Sequence, residues 1–425
     1  MDLAPPRGTT DLLPPRADAM HGLYEHAHRT ARLFGYRYVE TPTFEHTELF
    51  SRTSGDTSDV VSKEMYTFED KGGRSVTLRP ESTAPIVRAY LDHAQELPTP
   101  FKAYYVNTNF RHNRPQAGRL REFRVFGCEV IGADAPAADV EVIAVAHHYL
   151  RERGLRDVAL HLNSIGDEVC RPAYRERLIA YLEPHEPDLD EDCRVRLHTN
   201  PLRVLDCKVD GRKDYVRAAP VISDHLCDAC AAHFAGVKDG LSAAGITFAH
   251  DPRLVRGLDY YTRTAFEFIS EAAPQAQAAT VCGGGRYDGL AEVIGGPATP
   301  GIGFGMGLDR VLLAMEGADI PLPGARGARC FVVALGEAAQ DAAAALVAEL
   351  RAAGVPAESS FGDRPMKAQM KMADRAGADF VAIIGAQELA DGAVTLRRLA
   401  DGDQQTVPAG AVAERLRDPG EGATT

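Results

Sequence analysis

Apolar and polar positions follow two different periods at the start of the chain. From Met20 to Phe34, apolar residues recur every three or four positions, which predicts an amphipathic helix over residues 17–34. Residues 36–45 follow a period of two and contain Pro42. Because proline cannot donate to a central ladder, this second segment is predicted to be an edge or interface strand.

Strand-like runs dominate the next part of the chain. They cover residues 76–80, 102–112 and 121–132, and a helical pattern covers residues 82–94. The segment NRPQAG separates the last two strands and is rich in residues that favour turns. These two strands are therefore predicted to form a long antiparallel hairpin.

Helical and strand-like patterns alternate from this hairpin to about residue 320. Helical patterns cover residues 139–153, 168–182, 223–244 and 308 onward. Strand-like patterns cover residues 254–270, 279–285 and 300–306. A Pro/Gly-rich segment follows at 320–328, and beyond it short strands alternate with helices to residue 385. That alternation predicts a small separate α/β domain.

Composition and charge narrow the class of protein. The chain has 425 residues, of which 45% are hydrophobic, and its formal net charge is -13. It is too long for one core, and no whole-molecule positive field draws it to nucleic acid or to an anionic membrane. It opens with no signal-peptide pattern and has no window of about 18 apolar residues. A cytoplasmic protein without membrane spans, with its eight cysteines reduced, is expected.

One stretch is basic although the whole chain is acidic. Between residues 102 and 124, Glu122 alone opposes six basic residues, namely Lys102, Arg111, Arg114, Arg119, Arg121 and Arg124. Arginine's planar fork suits phosphate, and a hairpin lets several side chains converge on one anion. Phe123 lies among them and can stack on a nucleobase. The alternative is a solvated edge strand whose charges oppose aggregation.

Two glycine-rich segments, CGGGRYDG (282–289) and GIGFGMGLDR (301–310), allow a ligand to approach the backbone closely. The second ends with Arg310 on the first turn of a predicted helix. It lacks the βαβ context of a dinucleotide fingerprint, and no GxxxxGK[ST] occurs in the chain. Together with the basic hairpin, these segments predict a nucleotide site without a P-loop.

Two carboxylates and one strand face complete this set of candidates. Glu81 and Glu129 lie inside strand-like segments, where burial of an unpaired acid is costly. Each needs a partner, either a nearby arginine or the ammonium or imidazolium of a substrate. In the predicted strand over residues 254–270, Arg256 and Tyr260 share one face and Tyr261 points to the other, unless a bulge intervenes.

Four residues capable of binding zinc lie close together in the sequence. They are His225, Cys227, Cys230 and His233. On one helix these positions do not all converge, and no matching second CxxC is present, so a zinc site is not expected here.

Eight segments of the sequence resemble those of a known protein family. They are GTTDLLP (8–14), KEMYTFED (63–70), TLRPESTA (77–84), FRHNRPQAGRLREFRVFGCEVIG (110–132), NPLRVLDCK (200–208), LVRGLDYYTRTAFEF (254–268), CGGGRYDGL (282–290) and GIGFGMGLDR (301–310). The chain resembles the histidyl-tRNA synthetases, which are class II aminoacyl-tRNA synthetases. The resemblance implies an α+β fold with a catalytic core over 1–325, an insertion domain at about 160–245 and an anticodon-binding domain over 328–425.

The resemblance also implies a reaction and the residues that carry it. ATP and L-histidine would give histidyl-adenylate, and the aminoacyl group would pass to histidine tRNA. Arg111 and Arg256 would hold the α-phosphate as catalytic residues, Arg119 and Arg310 would hold the distal phosphates, and Phe123 would stack on adenine. The histidine-binding positions would be Glu81, Ser82, Thr83, Val125, Glu129, Arg256, Tyr260, Tyr261 and Tyr287.

Partners follow from the same resemblance. Family members are homodimers, and the segment 17–45 matches the motif that forms the dimer. Mg²⁺ would accompany ATP, with protein ligands that the sequence does not identify. Residues 328–425 hold ten Lys+Arg against fourteen Asp+Glu, so this domain as a whole carries no positive charge that would attract RNA. Transfer RNA would therefore contact local basic residues such as Lys367, Lys371 and Arg375.

Three positions depart from the usual family pattern. Asn113 stands where a glutamate is common, Val125 where a glutamine grips the substrate's amino group, and Ser82 where glycine is usual. A lost hydrogen bond to a charged group costs about 1.5–3 kcal/mol, or roughly ten- to a hundredfold in affinity. These departures leave an alternative open, a paralogue that activates a histidine-like acid or serves as an inhibitor-tolerant duplicate. A third possibility is the regulatory subunit of ATP phosphoribosyltransferase, which normally lacks the anticodon domain.

Overall fold

The computed structural model describes residues 3–54, 60–272, 279–324 and 327–417. Of the predicted domain ranges, residues 1, 2, 55–59, 273–278, 325 and 418–425 lie outside the described residues. The chain divides into two compact units, Met1–Gly324 and Ala325–Thr425.

The larger unit is built around an eight-stranded sheet. Its strands in chain order are β1 (Arg37–Tyr38), β2 (Phe44–His46), β3 (Tyr66–Glu69), β4 (Ser75–Leu78), β5 (Phe101–Phe110), β6 (Glu122–Ile131), β7 (Val158–Ser164), β8 (Ala249–His250), β9 (Thr262–Ser270), β10 (Thr280–Arg286) and β11 (Gly301–Gly307). The eight-stranded sheet has the order β1-β5-β6-β11-β10-β9-β7-β8, and a three-stranded sheet has the order β2-β4-β3. All neighbours in the large sheet are antiparallel except the two outermost pairs, β1 with β5 and β7 with β8.

Helices cover both faces of this sheet. They are α1 (Arg16–Leu33), α2 (Thr47–Ser54), α3 (Thr83–Asp92), α4 (Pro136–Glu152), α5 (Arg171–Leu182), α6 (Glu191–Thr199), α7 (Leu202–Leu205), α8 (Asp214–Arg217), α9 (Asp228–Ala243), α10 (Leu290–Ile294) and α11 (Leu308–Gly317). One hydrophobic core lies between the sheet and α1, α4, α9 and α11, and a second lies on the other face with α3, α5, α6 and α7. The prediction of an α+β fold with an antiparallel sheet flanked by helices is confirmed.

Strand β11 shows how the sequence sets the two faces apart. Ile302, Phe304 and Met306 are buried against the helices of the first core. The glycines alternate with them and lie on the opposite face, because successive residues of a strand point to opposite sides. A Cβ at Gly303 would come within 1.6 Å of the Glu129 carboxylate. The glycine row therefore makes room for polar groups on that face of the sheet.

The predicted strand over residues 36–45 is two strands in the structure. Strand β1 is an edge of the large sheet and pairs in parallel with β5, whereas β2 belongs to the three-stranded sheet. Pro42 lies between them, where no ladder hydrogen bond is needed.

The predicted strand over residues 254–270 begins only at Thr262, so the assignment of faces to the preceding residues is wrong. Arg263 has a φ of 49° and exchanges two backbone hydrogen bonds of 2.7 Å with Ile165 and Gly166, in the turn after β7. These bonds redirect the chain, and residues 254–261 form a loop over the sheet.

The region around residues 160–245 starts within the large sheet. Strand β7 pairs with β9 along its length. Helices α5 to α8 then form a helical layer whose buried residues belong to the second core.

The smaller unit has a five-stranded sheet in the order β13-β12-β14-β15-β16. Its strands are β12 (Cys330–Ala334), β13 (Ala357–Ser359), β14 (Phe380–Ile384), β15 (Ala393–Arg398) and β16 (Gln404–Pro408). Its helices are α12 (Gln340–Ala352), α13 (Met366–Arg375), α14 (Ala386–Asp391) and α15 (Val412–Leu416). Strand β12 is parallel to both neighbours, as β/α alternation predicts.

Candidate active site

A cavity of about 440 Å³ opens on the glycine-bearing face of the large sheet. Gly283 of β10 and Gly305 and Gly307 of β11 contribute to its lining. The predicted site residues that line it are Glu81, Ser82, Thr83, Arg111, Arg119, Phe123, Val125, Arg256, Tyr260, Tyr261 and Arg310. Segments far apart in the sequence therefore meet around one cavity.

Four arginines, Arg111, Arg119, Arg256 and Arg310, make part of the wall strongly positive. Arg310 is fixed on the first turn of α11, where it donates to two backbone carbonyl oxygens at 2.8 Å. Burial and the charges of Arg111 and Arg119 lower its pKa. Since like charges repel, this group of cations favours the binding of a polyanion.

Arg256 is held by contacts on three sides. Its guanidinium forms an ion pair with Glu267 of β9 and lies 5.5 Å from the centroid of the Tyr261 ring. A Cβ at Gly283 would come within 2.5 Å of its Nη2 atom. Glycine at that position is therefore what lets the guanidinium lie flat on β10.

Two hairpin arginines are also oriented by protein groups. Arg111 donates through Nε to the Pro80 carbonyl oxygen at 2.7 Å, and its guanidinium lies 5.7 Å from the centroid of the Phe123 ring. Arg119 pairs with Glu64 at 3.1 Å. These contacts leave a planar cation beside an aromatic ring on the cavity wall, an arrangement suited to a nucleotide.

Not all of the basic island takes part in the cavity. Arg124 pairs with Asp309 at 3.2 Å, and Lys102 pairs with Glu141. Arg121 donates to backbone carbonyl oxygens of Asn113 and Arg7. These side chains stabilise the fold around the cavity and do not line it.

Glu81 caps the beginning of α3. Its carboxylate accepts hydrogen bonds from the backbone N–H groups of Thr83 at 2.6 Å and Ala84 at 3.0 Å. Burial raises its pKa, and the two N–H groups oppose that shift. The carboxylate is thereby fixed at the cavity wall with helix N–H groups behind it.

Glu129 and Tyr287 are not among the residues that line the cavity, and they are hydrogen-bonded to each other. Glu129 is fully buried and accepts hydrogen bonds from the hydroxyl groups of Tyr287 at 2.6 Å, Thr83 at 2.8 Å and Tyr105 at 3.1 Å. Burial raises its pKa to about 8. Thr83 and Tyr105 do line the cavity, so Glu129 reaches it through their hydroxyl groups.

The three departures from the family pattern all lie at the cavity. Val125 is buried in its wall. Ser82 donates from its hydroxyl group to Asn109 Oδ1 at 3.0 Å. Asn113 is buried, and among the described residues its Oδ1 atom has no hydrogen-bond partner. These three positions therefore place an engaged hydroxyl group, an amide and an apolar side chain on the cavity wall.

The sequence reasoning assigned no role to Arg203, Asp206 and Lys208, which also line the cavity. Burial, Arg119 and Arg310 lower the pKa of Lys208, so it belongs to the same positive wall. Burial raises the pKa of Asp206 to about 6. All three residues lie in the segment NPLRVLDCK (200–208), which is one of the segments that resemble the family and was the signal that could have identified them.

The four possible zinc ligands near residue 230 do not assemble as a set. His233 binds Asp139 of α4 at 3.1 Å, and the His225 ring stacks on Tyr174 with centroids 6.0 Å apart. Cys227 and Cys230 instead meet residues from another part of the chain, described below.

Comparison with known proteins gives matches along most of the chain. The family model described as Histidyl-tRNA synthetase matches residues 8–311, and the model described as Anticodon binding domain matches residues 329–418. The chain belongs to the histidyl-tRNA synthetase family. It is therefore an aminoacyl-tRNA synthetase, a ligase, as the resemblance implied.

Relatives of this family align along nearly the whole chain. A histidine–tRNA ligase of Geobacillus thermodenitrificans is 50% identical over 413 residues, covering 97% of each chain. One from Moorella thermoacetica is 49% identical over 413 residues, again covering 97% of each chain. The crystal structure of the apo histidyl-tRNA synthetase of S. aureus matches with a TM-score of 0.82 and 38% identity, covering 98% of this chain and 100% of that one.

In the described part of the chain, no helix is both long and apolar enough to cross a membrane.

Proposed function

We propose that this chain is a histidine–tRNA ligase that activates L-histidine with ATP and transfers it to the 3′ end of histidine tRNA. The observation that carries this proposal is that the four arginines Arg111, Arg119, Arg256 and Arg310 line the same cavity as the capped carboxylate of Glu81. The arginines suit a triphosphate and the carboxylate suits an ammonium group, as adenylate formation requires.

In the first step, a carboxylate oxygen of histidine attacks the α-phosphorus of ATP. The new P–O bond forms as the bond to the bridging oxygen of the β-phosphate breaks, and pyrophosphate leaves with that oxygen. Arg111 and Arg256 are proposed to neutralise the charge on the α-phosphate, and Arg119 and Arg310 the charge on the distal phosphates. Phe123, beside Arg111, would stack on adenine.

The histidine end of the cavity is proposed to use Glu81 for the ammonium group, with Thr83, Tyr260 and Tyr261 around the side chain. Glu129 would act on the imidazole through Tyr105 and Thr83, because its own oxygens already accept hydrogen bonds from buried hydroxyl groups. We regard Glu129 as a positioning residue for this reason.

Mg²⁺ is proposed to arrive with ATP and to supply charge neutralisation on the phosphates. Glu267 and Asp206 are carboxylates of the cavity wall, and carboxylate oxygen is the ligand type that this ion prefers. They fit a role at the metal, directly or through its water molecules.

The smaller unit is proposed to bind the anticodon arm of tRNA, with Lys367, Lys371 and Arg375 of α13 among its contacts. The division into a catalytic core over 1–325, an insertion at about 160–245 and an anticodon domain over 328–425 is part of this proposal. A cytoplasmic location is proposed from the family's role in protein synthesis.

A homodimer is also proposed. Phe44 of β2 and Phe68 of β3 are 52% and 46% exposed, and their ring centroids are 6.3 Å apart. Tyr38 of β1 is 47% exposed nearby in sequence. Tyr38 and Phe44 lie within the predicted dimer segment at 17–45 and Phe68 lies against Phe44, so these exposed aromatic groups support an interface there.

The activity is tested by histidine-dependent exchange of pyrophosphate into ATP and by charging of histidine tRNA. Arg256→Met should reduce exchange at least a hundredfold, whereas Arg74→Met, in an exposed ion pair with Asp70, should leave it unchanged. Lys371→Glu should reduce charging and leave exchange intact. Absence of exchange with histidine in the unaltered chain would contradict the proposal.

The paralogue remains the second candidate because Val125, Ser82 and Asn113 lie on the cavity wall. Full-length relatives named histidine–tRNA ligase favour the ligase over it. The match of an anticodon-binding model to residues 329–418 likewise argues against the transferase regulatory subunit. Exchange supported by a histidine analogue but not by histidine would favour the paralogue.

A further inference from the structure

Three thiols and one carboxylate meet away from the active-site cavity. Asp167, Cys170, Cys227 and Cys230 each offer one ligand atom, and these atoms all lie within 4.8 Å of one another. Asp167 follows β7, Cys170 immediately precedes α5, and Cys227 and Cys230 lie at the beginning of α9. Asp167, Cys170 and Cys230 are buried, and Cys227 is half-buried.

The distances among these atoms match the edges of a tetrahedral site. With Zn–S bonds of about 2.3 Å and a Zn–O bond of about 2.1 Å, tetrahedral geometry requires S···S edges of about 3.8 Å and S···O edges of about 3.6 Å. The Sγ atoms of Cys170 and Cys230 are 3.9 Å apart. Asp167 Oδ1 lies 3.6 Å from Cys170 Sγ and 3.8 Å from Cys227 Sγ. A zinc ion would fit with little movement of the ligands.

The spacing along the chain is also that of a structural zinc site. Asp167 and Cys170 are separated by two residues, and so are Cys227 and Cys230, the short spacing found in paired zinc-binding turns. The first pair along the chain begins with aspartate instead of cysteine, so the sequence shows only one CxxC segment here.

We propose that Asp167, Cys170, Cys227 and Cys230 form a structural zinc site. All four positions are filled by protein, so the ion would have no open position for substrate and would not take part in catalysis. Its role is to join the turn after β7 to the beginnings of α5 and α9.

The surroundings provide the outer contacts that such a site needs. The Oδ1 atom of Asp167 faces the thiols, whereas its Oδ2 atom lies 3.3 Å from the Arg263 guanidinium. Three thiolates and one carboxylate around Zn²⁺ carry a net negative charge, which Arg263 partly balances. A Cβ at Gly166 would come within 2.7 Å of Cys170 Sγ, so glycine keeps the space for that thiol.

The site is connected to the loop that carries Tyr260 and Tyr261. Arg171, next to Cys170, donates to the backbone carbonyl oxygens of Gly166 at 3.1 Å and Tyr261 at 2.7 Å. Zinc would therefore stabilise the loop over residues 254–261 from outside the cavity. Its removal should affect the thermal stability of the larger unit first.

A second group, Asp190, Cys193, Cys207 and Asp210, provides a matched control. Its carboxylates already have other partners. Asp190 accepts from the Cys193 backbone N–H at 2.7 Å, and Asp210 pairs with Lys213 at 2.7 Å. Asp167 is likewise engaged, by Arg263 and by the Val169 N–H, so the two groups differ mainly in their thiols: this group has two and the proposed site has three. Because structural zinc sites are built chiefly from cysteine and histidine, the group with two thiols is expected to hold no zinc in the purified protein.

The experiment is zinc analysis of the full chain, purified without chelators from zinc-supplied cells, by inductively coupled plasma mass spectrometry. About one zinc per chain is expected. Cys170→Ser and the double variant Cys227→Ser/Cys230→Ser should lose it, and Cys193→Ser/Cys207→Ser should keep it. Zinc-free protein that remains folded by circular dichroism should bind Co²⁺ with the absorption bands of a tetrahedral thiolate site and should melt at lower temperature than the zinc form.

Three results would overturn the proposal. The first is that the unaltered protein contains no zinc and, while folded, binds no Co²⁺. The second is that folded Cys170→Ser protein retains zinc. The third is that zinc is lost only in the Cys193→Ser/Cys207→Ser control. The first result needs no variant, so misfolding of the cysteine variants does not protect the proposal.

Discussion

At Glu129 a fully buried carboxyl group accepts hydrogen bonds from three hydroxyl groups. Its burial is possible because Gly303 lies opposite it in the neighbouring strand, where any Cβ would overlap the carboxylate. One glycine and one acid thus fit together across neighbouring strands, behind the Thr83 and Tyr105 hydroxyl groups of the cavity wall.

Glu129 should make the stability of the larger unit depend on pH. Its pKa rises from 4.5 to about 8 on folding, so the folded state binds the proton more tightly. The contribution is fully present below about pH 4.5 and is lost as the pH rises toward 8, at a cost on the order of a few kcal/mol. Glu129→Gln removes the ionisation and should gain stability relative to the unaltered chain between pH 5 and pH 8. Urea denaturation at several pH values measures this, and a pH-independent difference would contradict it.

Gly283 should matter for activity more than for stability. An alanine Cβ there would displace the end of the flexible Arg256 side chain rather than the backbone. Gly283→Ala should lower kcat/KM for ATP by roughly ten- to a hundredfold, the value of a lost charged hydrogen bond, with little change in melting temperature. Gly289→Ala, where a Cβ meets no atom within 4 Å, is the control. Equal activity of the two variants would show that Arg256 does not need this position.

Val125 tests what the missing amide contributes. Val125→Gln should lower KM for histidine in the exchange reaction by up to roughly tenfold, because the amide can accept from the substrate's ammonium group. Val125→Met adds comparable length without a hydrogen-bonding amide and should not lower KM. If both variants behave alike, the effect is one of size and the hydrogen-bond explanation is wrong.

At the scale of elements, alternate residues of β6, in the hairpin of β5 and β6, face the hydrophobic core and the cavity side of the sheet. Phe126, Cys128 and Val130 of β6 pack in the first core, while Val125 and Glu129 belong to the site face. The alternation was predictable from sequence, because each strand residue points opposite to its neighbours.

A buried ion pair joins three elements behind the site. Arg286 at the end of β10 donates through Nε to Asp139 of α4 at 3.2 Å, and His233 of α9 binds the same carboxylate. Both partners of the ion pair are fully buried. Arg286→Met should cost about 3–5 kcal/mol of unfolding free energy, because it leaves a buried carboxylate without its cation.

The double variant Arg286→Met/Asp139→Asn should recover part of that loss, since it removes the uncompensated charge. Arg74→Met, in an exposed pair, is the control and should change stability little. Urea denaturation followed by circular dichroism gives the comparison. A double variant less stable than Arg286→Met would show that desolvated charge is not the cause.

At the scale of the whole molecule, the net charge of -13 gives no indication of RNA binding. The arginines that suit ATP are concentrated in one cavity, and the basic residues proposed to contact tRNA lie on one helix of the other unit. Local concentration of charge, rather than the total, therefore decides which polyanions can bind.

Assembly is tested at the three-stranded sheet. Phe44→Asp/Phe68→Asp should convert the proposed dimer to a monomer in size-exclusion chromatography with light scattering, because it places charge in an apolar interface. Phe361→Asp, at a 90% exposed phenylalanine of the smaller unit, should leave the dimer intact. An unaltered chain that runs as a monomer would contradict the dimer, and a dimeric double variant would contradict its location.

Several features of this protein can be predicted from local sequence patterns alone. The periods of α1, β6 and β11 follow from local side-chain direction, and the motifs that contain Arg111, Arg256 and Arg310 identified the family. These features depend on residues close together along the chain, where spacing fixes direction.

The tertiary structure decided which distant residues meet. The loop over residues 254–261 turns because Arg263 bonds to the end of β7, so Tyr260 and Tyr261 lie together instead of on opposite faces. Glu129 is enclosed by hydroxyl groups from three other segments, and Asp167 reaches Cys227 from sixty residues away. Such contacts depend on strand order, register and loop path, which no local spacing in the sequence specifies.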